Sequence, residues 1–255
     1  MSILYVGIGS SGLNALEEAQ QFNYELNRKN VPEDVHYLYL DTDLSKKPRK
    51  TPLGSNDITG ISLSLEQMAF PINQFIEDPN IDSSWIPPVN TALGTSGAGG
   101  MSSYGRLAFW IHFTAIKSKL LELNKSYKGF DSVFIVGSLT GGTGSGTIID
   151  LAYLIRSAIS PSNLISLLMI PKESDLETGT SNYFLNSFFA LKSIEYYSDE
   201  RAQNEYKITW PDGNPLPSTI GNQPPFDLNI LISPDYFHQS NIDSTFICDY
   251  NNLSP

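Results

Sequence analysis

Apolar residues follow two different periods along this chain. Short, nearly continuous apolar runs occur at Ile3 to Ile8, Val35 to Leu40, Ser132 to Val136, Leu164 to Ile170 and Leu228 to Ser233. That length and composition predict strands buried on both faces. Between them lie segments of helical period. Leu13 to Arg28 sets Leu13, Leu16, Ala19, Gln20 and Leu26 against Glu17, Glu18 and Glu25. Ser102 to Leu123 carries Leu107, Ile111, Ala115 and Leu120 and reads as one long helix, with further helices over Ile148 to Ile159 and Thr180 to Tyr197. In the last of these Asn182, Asn186 and Lys192 interrupt the apolar character. Thr51 to Ile61 is turn-rich, and Ser62 to Ile76 contains a helix interrupted near Pro71. Alternating strands and helices predict an α/β fold: a three-layer, Rossmann-like, mostly parallel sheet with helices on both faces.

Glycine clusters sit where strands give way to helices. They are Gly7-Ile8-Gly9-Ser10-Ser11-Gly12, Gly94-Thr95-Ser96-Gly97-Ala98-Gly99-Gly100-Met101 and Gly137-Ser138-Leu139-Thr140-Gly141-Gly142-Thr143-Gly144-Ser145-Gly146-Thr147. Small residues let the backbone approach an anion, and helix N-termini favour negative charge. The hydroxyls of Thr140, Thr143, Ser145 and Thr147 offer further donors. The strand ends of a parallel sheet share one edge, so the loops at Gly7, Asp41, Gly97 and Gly141 are expected to converge on one ligand. No lysine lies in the third cluster, so it is not a GxxxxGK[ST] loop.

Gly7, Gly9 and Gly12 form a GxGxxG followed at a ribose-binding distance by Asp41, a pattern that also describes an NAD-type dinucleotide-binding oxidoreductase. A second phosphate loop on the other half of the sheet is of no use to that fold and favours a nucleoside di- or triphosphate.

Composition narrows the function class. The chain has 255 residues, and its net charge of −11 argues against a nucleic-acid surface. The one basic cluster, Lys46-Lys47-Pro48-Arg49-Lys50, reads as a solvated loop. A single cysteine, Cys248, excludes a disulfide framework and a cysteine-rich zinc site. With neither a basic leader nor a membrane-length apolar window, a cytoplasmic protein without a membrane partner is expected. His36, His112 and His238 have no metal-ligand spacing and read as structural, and no Ser/His/Asp arrangement is discernible.

Gly141-Gly142-Thr143-Gly144-Ser145-Gly146 resembles the GGGTGSG signature of the tubulin/FtsZ superfamily, with Thr140 at the place of its first glycine. Gly7 to Ala15, including Asn14-Ala15, is similar to the first nucleotide loop of FtsZ, and Asp41-Thr42-Asp43 to its second. Gly97 to Gly100, with Gly105-Arg106 downstream, is similar to the loop around the terminal phosphate. Asn182 to Tyr197 and Pro225-Phe226-Asp227 resemble the corresponding stretches of prokaryotic tubulin-like proteins with long divergent C-terminal regions.

The resemblance implies GTP or GDP as ligand with Mg2+ as its counter-ion. It implies phosphate contacts from Gly9, Ser10, Ser11, Ala98, Gly99, Gly100, Gly141, Gly142, Thr143, Gly144 and Ser145, with Asn14 near the guanine and ribose. Asp43 would stand near the magnesium, where a turn-capping acid is an equal reading, and Glu177 near the ribose, in competition with Glu173 and Asp175. It also implies self-assembly into filaments. Residues 1–233 are expected to form the nucleotide-binding domain, with 198–226 an ordinary surface excursion opening on a hairpin at Glu205 to Gly213 and 234–255 a polar tail. Nothing after Ser233 resembles the family's central helix, second domain or acid-bearing loop. Weak or no hydrolysis by this chain alone is therefore expected, and no catalytic residue is assigned.

Overall fold

Six parallel strands carry the molecule. They are β1 (Ile3–Ile8), β2 (Val35–Asp41), β3 (Thr59–Ser62), β4 (Ser132–Ser138), β5 (Asn163–Met169) and β6 (Leu228–Ile232), in the order β3-β2-β1-β4-β5-β6. The computed structural model describes residues 1–27, 30, 32–43, 45, 47–48, 58–65, 77, 84–87, 97–172, 181–199, 201–202 and 204–233. The α/β, three-layer, Rossmann-like sheet expected from the sequence is therefore present, with every described pairing parallel. From β1 the chain moves outward through β2 and β3, then returns to place β4 on the other side of β1. This reversal opens a crevice at the C-terminal ends of β1 and β4.

Among the described residues the named helices are α1 (Gly9–Leu26), α2 (Ser102–Ile111), α3 (Phe113–Ser126), α4 (Gly142–Ala158), α5 (Ser181–Ser198) and the single turn α6 (Ser218–Gly221). Strand alternation divides them between two cores. Leu4, Val6, Ile8, Leu38 and Leu40 join the core that contains α2, α3 and α4. The opposite face sends Tyr37 and Tyr39, with Tyr5 beside them, to Leu13 and Leu16 of α1. Tyr5 pairs in register with Tyr37 and Phe134, and its ring stacks on both at 5.7 and 5.1 Å. Asn23 of α1 donates to the Tyr37 hydroxyl at 2.9 Å, fixing the helix over this aromatic row.

Several boundaries differ from expectation for visible reasons. The long helix over Ser102 to Leu123 is two, turning at His112 (φ −93°, ψ 8°). The turn lets Trp110 and Phe113, on either side of it, both reach the Trp210 ring, at 6.2 and 5.1 Å. β3 was read as part of a turn-rich stretch; it is a short edge strand containing Gly60. The helix expected within Ser62 to Ile76 lies largely outside the described residues. His112 brings a ring nitrogen 2.8 Å from the Ser64 carbonyl, while His36 stacks on Tyr127. Both are packed structural residues, as expected; His238 lies outside the described residues.

The 198–226 stretch is no surface excursion. Tyr206, Trp210, Leu216 and Phe226 are buried in the main core. Its hairpin-like turn is real, with Trp210 N–H donating to Asn214 and Leu216 N–H to Ile208, both at 2.9 Å. One face of α4 clamps the rest. Tyr153 donates to the Gln223 carbonyl at 2.9 Å, and Arg156 donates to Pro225 at 3.2 Å and to Asp227 at 3.0 Å. α5 carries a buried stripe at Asn186, Ala190 and Ile194, and an outward one at Leu185, Phe188, Phe189 and Tyr196 that is exposed. No helix among the described residues is long and apolar enough to cross a membrane.

Candidate functional site

Three helices begin at the C-terminal edge of the sheet without a side-chain cap. The residues preceding α1, α2 and α4 are Ile8, Met101 and Gly141, none of which supplies a side-chain cap, and none of the three first turns holds an acid. The leading N–H groups of a helix have no intrahelical acceptor, and the positive end of its dipole favours an anion there. In α4 the first intrahelical bond is Ser145 N–H to Gly141, so the N–H groups of Gly142, Thr143 and Gly144 precede it.

Asp41 and Thr42, at the end of β2, draw the loops together. The buried Asp41 carboxylate accepts from the Tyr39 hydroxyl at 2.6 Å, Thr143 Oγ1 at 3.3 Å, the Asp43 N–H at 3.3 Å and Ser10 Oγ at 3.4 Å. Ala98 N–H donates to Thr42 Oγ1 at 2.9 Å, and Thr42 and Thr143 hydroxyls meet at 2.7 Å. One proton arrangement satisfies the chain: Ala98 N–H to Thr42, Thr42 to Thr143, Thr143 to Asp41. Residues from all four loops are thereby joined through two adjacent side chains. Burial, then the adjacent Asp41 carboxylate, pushes the Tyr39 phenol well above its ordinary pKa, so it stays a donor at neutral pH.

The glycines divide into two groups. A side chain on Gly142, Gly144 or Gly146 would collide with the backbone of Met101, Ser138 or Ser102, and one on Gly105 with Gly142. These positions let α2, α4 and the end of β4 touch. By contrast, Gly100 (φ 74°) and Gly141 have nothing within 4 Å of an added Cβ, and Gly9 (φ 67°) has only Thr143, at 3.8 Å. The open glycines border the crevice; the others build its wall.

Behind that wall lies a charged cluster. Arg106 donates to Asp150 through Nε at 2.9 Å and Nη2 at 3.4 Å, and Trp110 Nε1 donates to the same carboxylate at 3.0 Å. The Tyr206 hydroxyl donates to Asp150 as well. Burial lowers the Arg106 pKa and Asp150 more than reverses this, leaving it raised; burial, reinforced by Asp150, raises the Tyr206 phenol. Arg106 is occupied here and stacked 4.4 Å over Trp85.

The expected site residues fall into three sets. Gly9, Ser10, Ser11, Gly100, Gly141 and Asp43 are half-buried, and Asn14 and Gly99 exposed. Ala98, Gly142, Thr143, Gly144 and Ser145 are buried. Ser145 donates to the Gly141 carbonyl at 2.6 Å, and Thr147 Oγ1 is turned inward to the Thr143 carbonyl at 2.8 Å, so neither hydroxyl is a free donor. Asp43 accepts from Ser45 N–H at 2.8 Å as a turn cap. Glu177 lies outside the described residues, as do Glu173 and Asp175. Sequence reasoning missed Thr42, and it cast Asp41 as a ribose ligand. A polar pair closing a buried strand needs internal donors, and that was the available signal.

Set beside known proteins, this geometry has a clear family. A family model described as "Tubulin like" matches residues 4–251. The chain belongs to the tubulin-like family, within the tubulin/FtsZ superfamily. No curated protein matches this tubulin-like chain. Among solved structures it is similar to a GTPγS-bound protofilament of CetZ2 from Haloferax volcanii, at 17% identity and a TM-score of 0.57, covering 96% of this chain and 52% of that one. A GTPγS-form protofilament of TubZ from Bacillus thuringiensis serovar israelensis gives 13% and 0.55, covering 93% and 49%. CetZ from Methanosaeta thermophila gives 17% and 0.52, covering 75% and 42%. The tubulin-like chain shares their fold and spans about half the length of the first two.

Proposed function

We propose that this tubulin-like domain binds a guanine nucleotide, GTP or GDP, in the crevice between β1 and β4. The observation that carries the reading is the convergence of three uncapped helix N-termini on one edge, with Asp41 and Thr42 locking their loops together. Backbone N–H groups of the α1, α2 and α4 first turns would hold the phosphates, with Ser10 and Ser11 at the rim. Open space beside Gly9, Gly100 and Gly141 leaves room for phosphate oxygens. The choice of guanine, and of GTP over ATP, rests on the family.

Magnesium fits this site as a phosphate-bound ion. Among the described residues no group of three or more His, Cys, Asp or Glu could hold a metal. Mg2+ characteristically keeps several waters and takes its other ligands from phosphates and one or two carboxylates. Asp43, half-buried just after β2, is the carboxylate that would hold such an ion, through water. When bound, the ion neutralises phosphate charge that these lysine-free loops do not.

Asp41 weighs against the NAD-type alternative, because its carboxylate is buried and taken by four protein donors instead of facing a ribose. Phosphoryl transfer depends on positioning and electrostatics. The isolated chain would hold nucleotide with weak or no turnover and use it to control self-assembly into filaments.

Denaturing the purified protein and chromatographing what it releases tests the ligand. GTP or GDP is expected; NAD, or calorimetric binding of ATP equal to that of GTP, would overturn the reading. Light scattering and electron microscopy with and without GTP test assembly, and rapid turnover by the isolated chain would contradict the weak-hydrolysis part.

A further inference from the structure

Asn186 is a buried amide on the inward stripe of α5, and its side chain reaches both phosphate loops at once. Its Nδ2 donates to the Gly100 carbonyl at 2.7 Å and to the Thr140 carbonyl at 2.9 Å. Both amide hydrogens are thus used on main-chain oxygens from separate loops. A trans peptide points its C=O and N–H in opposite directions. Drawing the Thr140 carbonyl toward α5 therefore turns the Gly141 N–H away from α5. Drawing the Gly100 carbonyl the same way leaves the Met101 N–H to close its turn onto Ala98 at 3.0 Å.

Thr42 and Asp41 join these loops on the strand side, and Asn186 joins them from α5. A cavity of about 300 Å³ lies there between α2, α4 and α5, lined by Ser102, Ser145, Asn186 and Phe189 among others. Near it, an amide with two fixed donors does what packed side chains would otherwise do.

We propose that Asn186 is a positioning residue for nucleotide binding, holding the Gly97–Gly100 and Thr140–Gly144 loops at a fixed separation and turning the Gly141 N–H away from α5. This rests on the nucleotide reading above and adds a determinant of phosphate number. A ligand long enough to touch both loops depends on their spacing more than one that touches the second loop alone.

The test is calorimetric affinity for GTPγS and GDP in the wild type, Asn186→Asp and Asn186→Ser. Asn186→Asp is nearly isosteric, removes both donors and places a carboxylate against two carbonyls; Asn186→Ser is neutral and serves if the first does not fold. GTPγS affinity is expected to fall on the order of tenfold or more, as for loss of a buried donor pair, and GDP affinity by a clearly smaller factor. Unchanged GTPγS affinity in a folded variant would overturn the proposal. So would an equal loss for both nucleotides, which is what general loosening of α5 gives. A wild type that binds neither nucleotide removes the nucleotide reading itself, a failure distinct from that of Asn186.

Discussion

The glycine-rich turn before α4 and the seam between α2 and α4 draw on the same residue type for opposite purposes. At Gly100 and Gly141 the missing side chain leaves a void on the crevice edge, whereas at Gly105, Gly142, Gly144 and Gly146 another backbone fills it. A run of glycines at a helix entrance is therefore two signals superimposed: room for a ligand, and room for a neighbouring helix. Only the first concerns binding. Much of the run belongs to the second, which explains how a helix can start inside a sequence of poor helix formers.

The largest expected effect comes from the packed side. Asp150→Ala leaves the half-buried Arg106 without its carboxylate and the Trp110 and Tyr206 donors without their acceptor, and should cost about 3 kcal/mol of stability, read as a lowered urea midpoint. An unchanged midpoint would show that the α2–α4 seam does not depend on its charges. Gly146→Ala comes next. Its methyl group overlaps the Ser102 carbonyl, and a loss of about 1–3 kcal/mol is expected from overpacking. Gly141→Ala is the matched control on the open side. With φ −80° and nothing within 4 Å, it should stay within about 0.5 kcal/mol of wild type while weakening nucleotide affinity. If the two alanine variants lost equal stability, the division between wall and rim would be wrong.

The smallest effect is alkaline. Tyr37, Tyr39, Tyr153 and Tyr206 all have phenol pKa values raised in the fold, burial being the first cause in each. Below pH about 10, the unfolded phenol value, both states keep these protons and they add no pH dependence. Above it the unfolded chain ionises first, so stability should fall with rising pH. Urea titrations at pH 8 and pH 10.5 would show this, and Tyr39→Phe should flatten the difference.

Much of the sheet was legible, because five of its strands are apolar runs too short for helices. β3 escaped because Thr59–Ser62 is a four-residue edge with an exposed, glycine-containing face. Two helices begin earlier than their apolar pattern predicts, α1 at Gly9 instead of Leu13 and α4 at Gly142 instead of Ile148, and at α4 tertiary contact overrides propensity. The loops of the site could be named from their glycines and hydroxyls. What joins them could not. Asp41, Thr42 and Asn186 act across separations of 31 to 102 residues, and no local pattern encodes such partners. Tyr206 and Trp210 were likewise taken for surface because the prolines around them masked their burial.

The central position of β1 bears on how the chain reaches this state. Ile3 must pair with Val35 on one side and with Ser132 on the other, so a strand apolar on both faces is made first and completed late. At ~5–20 residues per second of synthesis, it waits on the order of ten seconds for β4 to appear. Such long-range parallel pairing is slow to nucleate. Refolding from denaturant should accordingly be slow and yield less at higher protein concentration, with β1 as the adhesive segment in between.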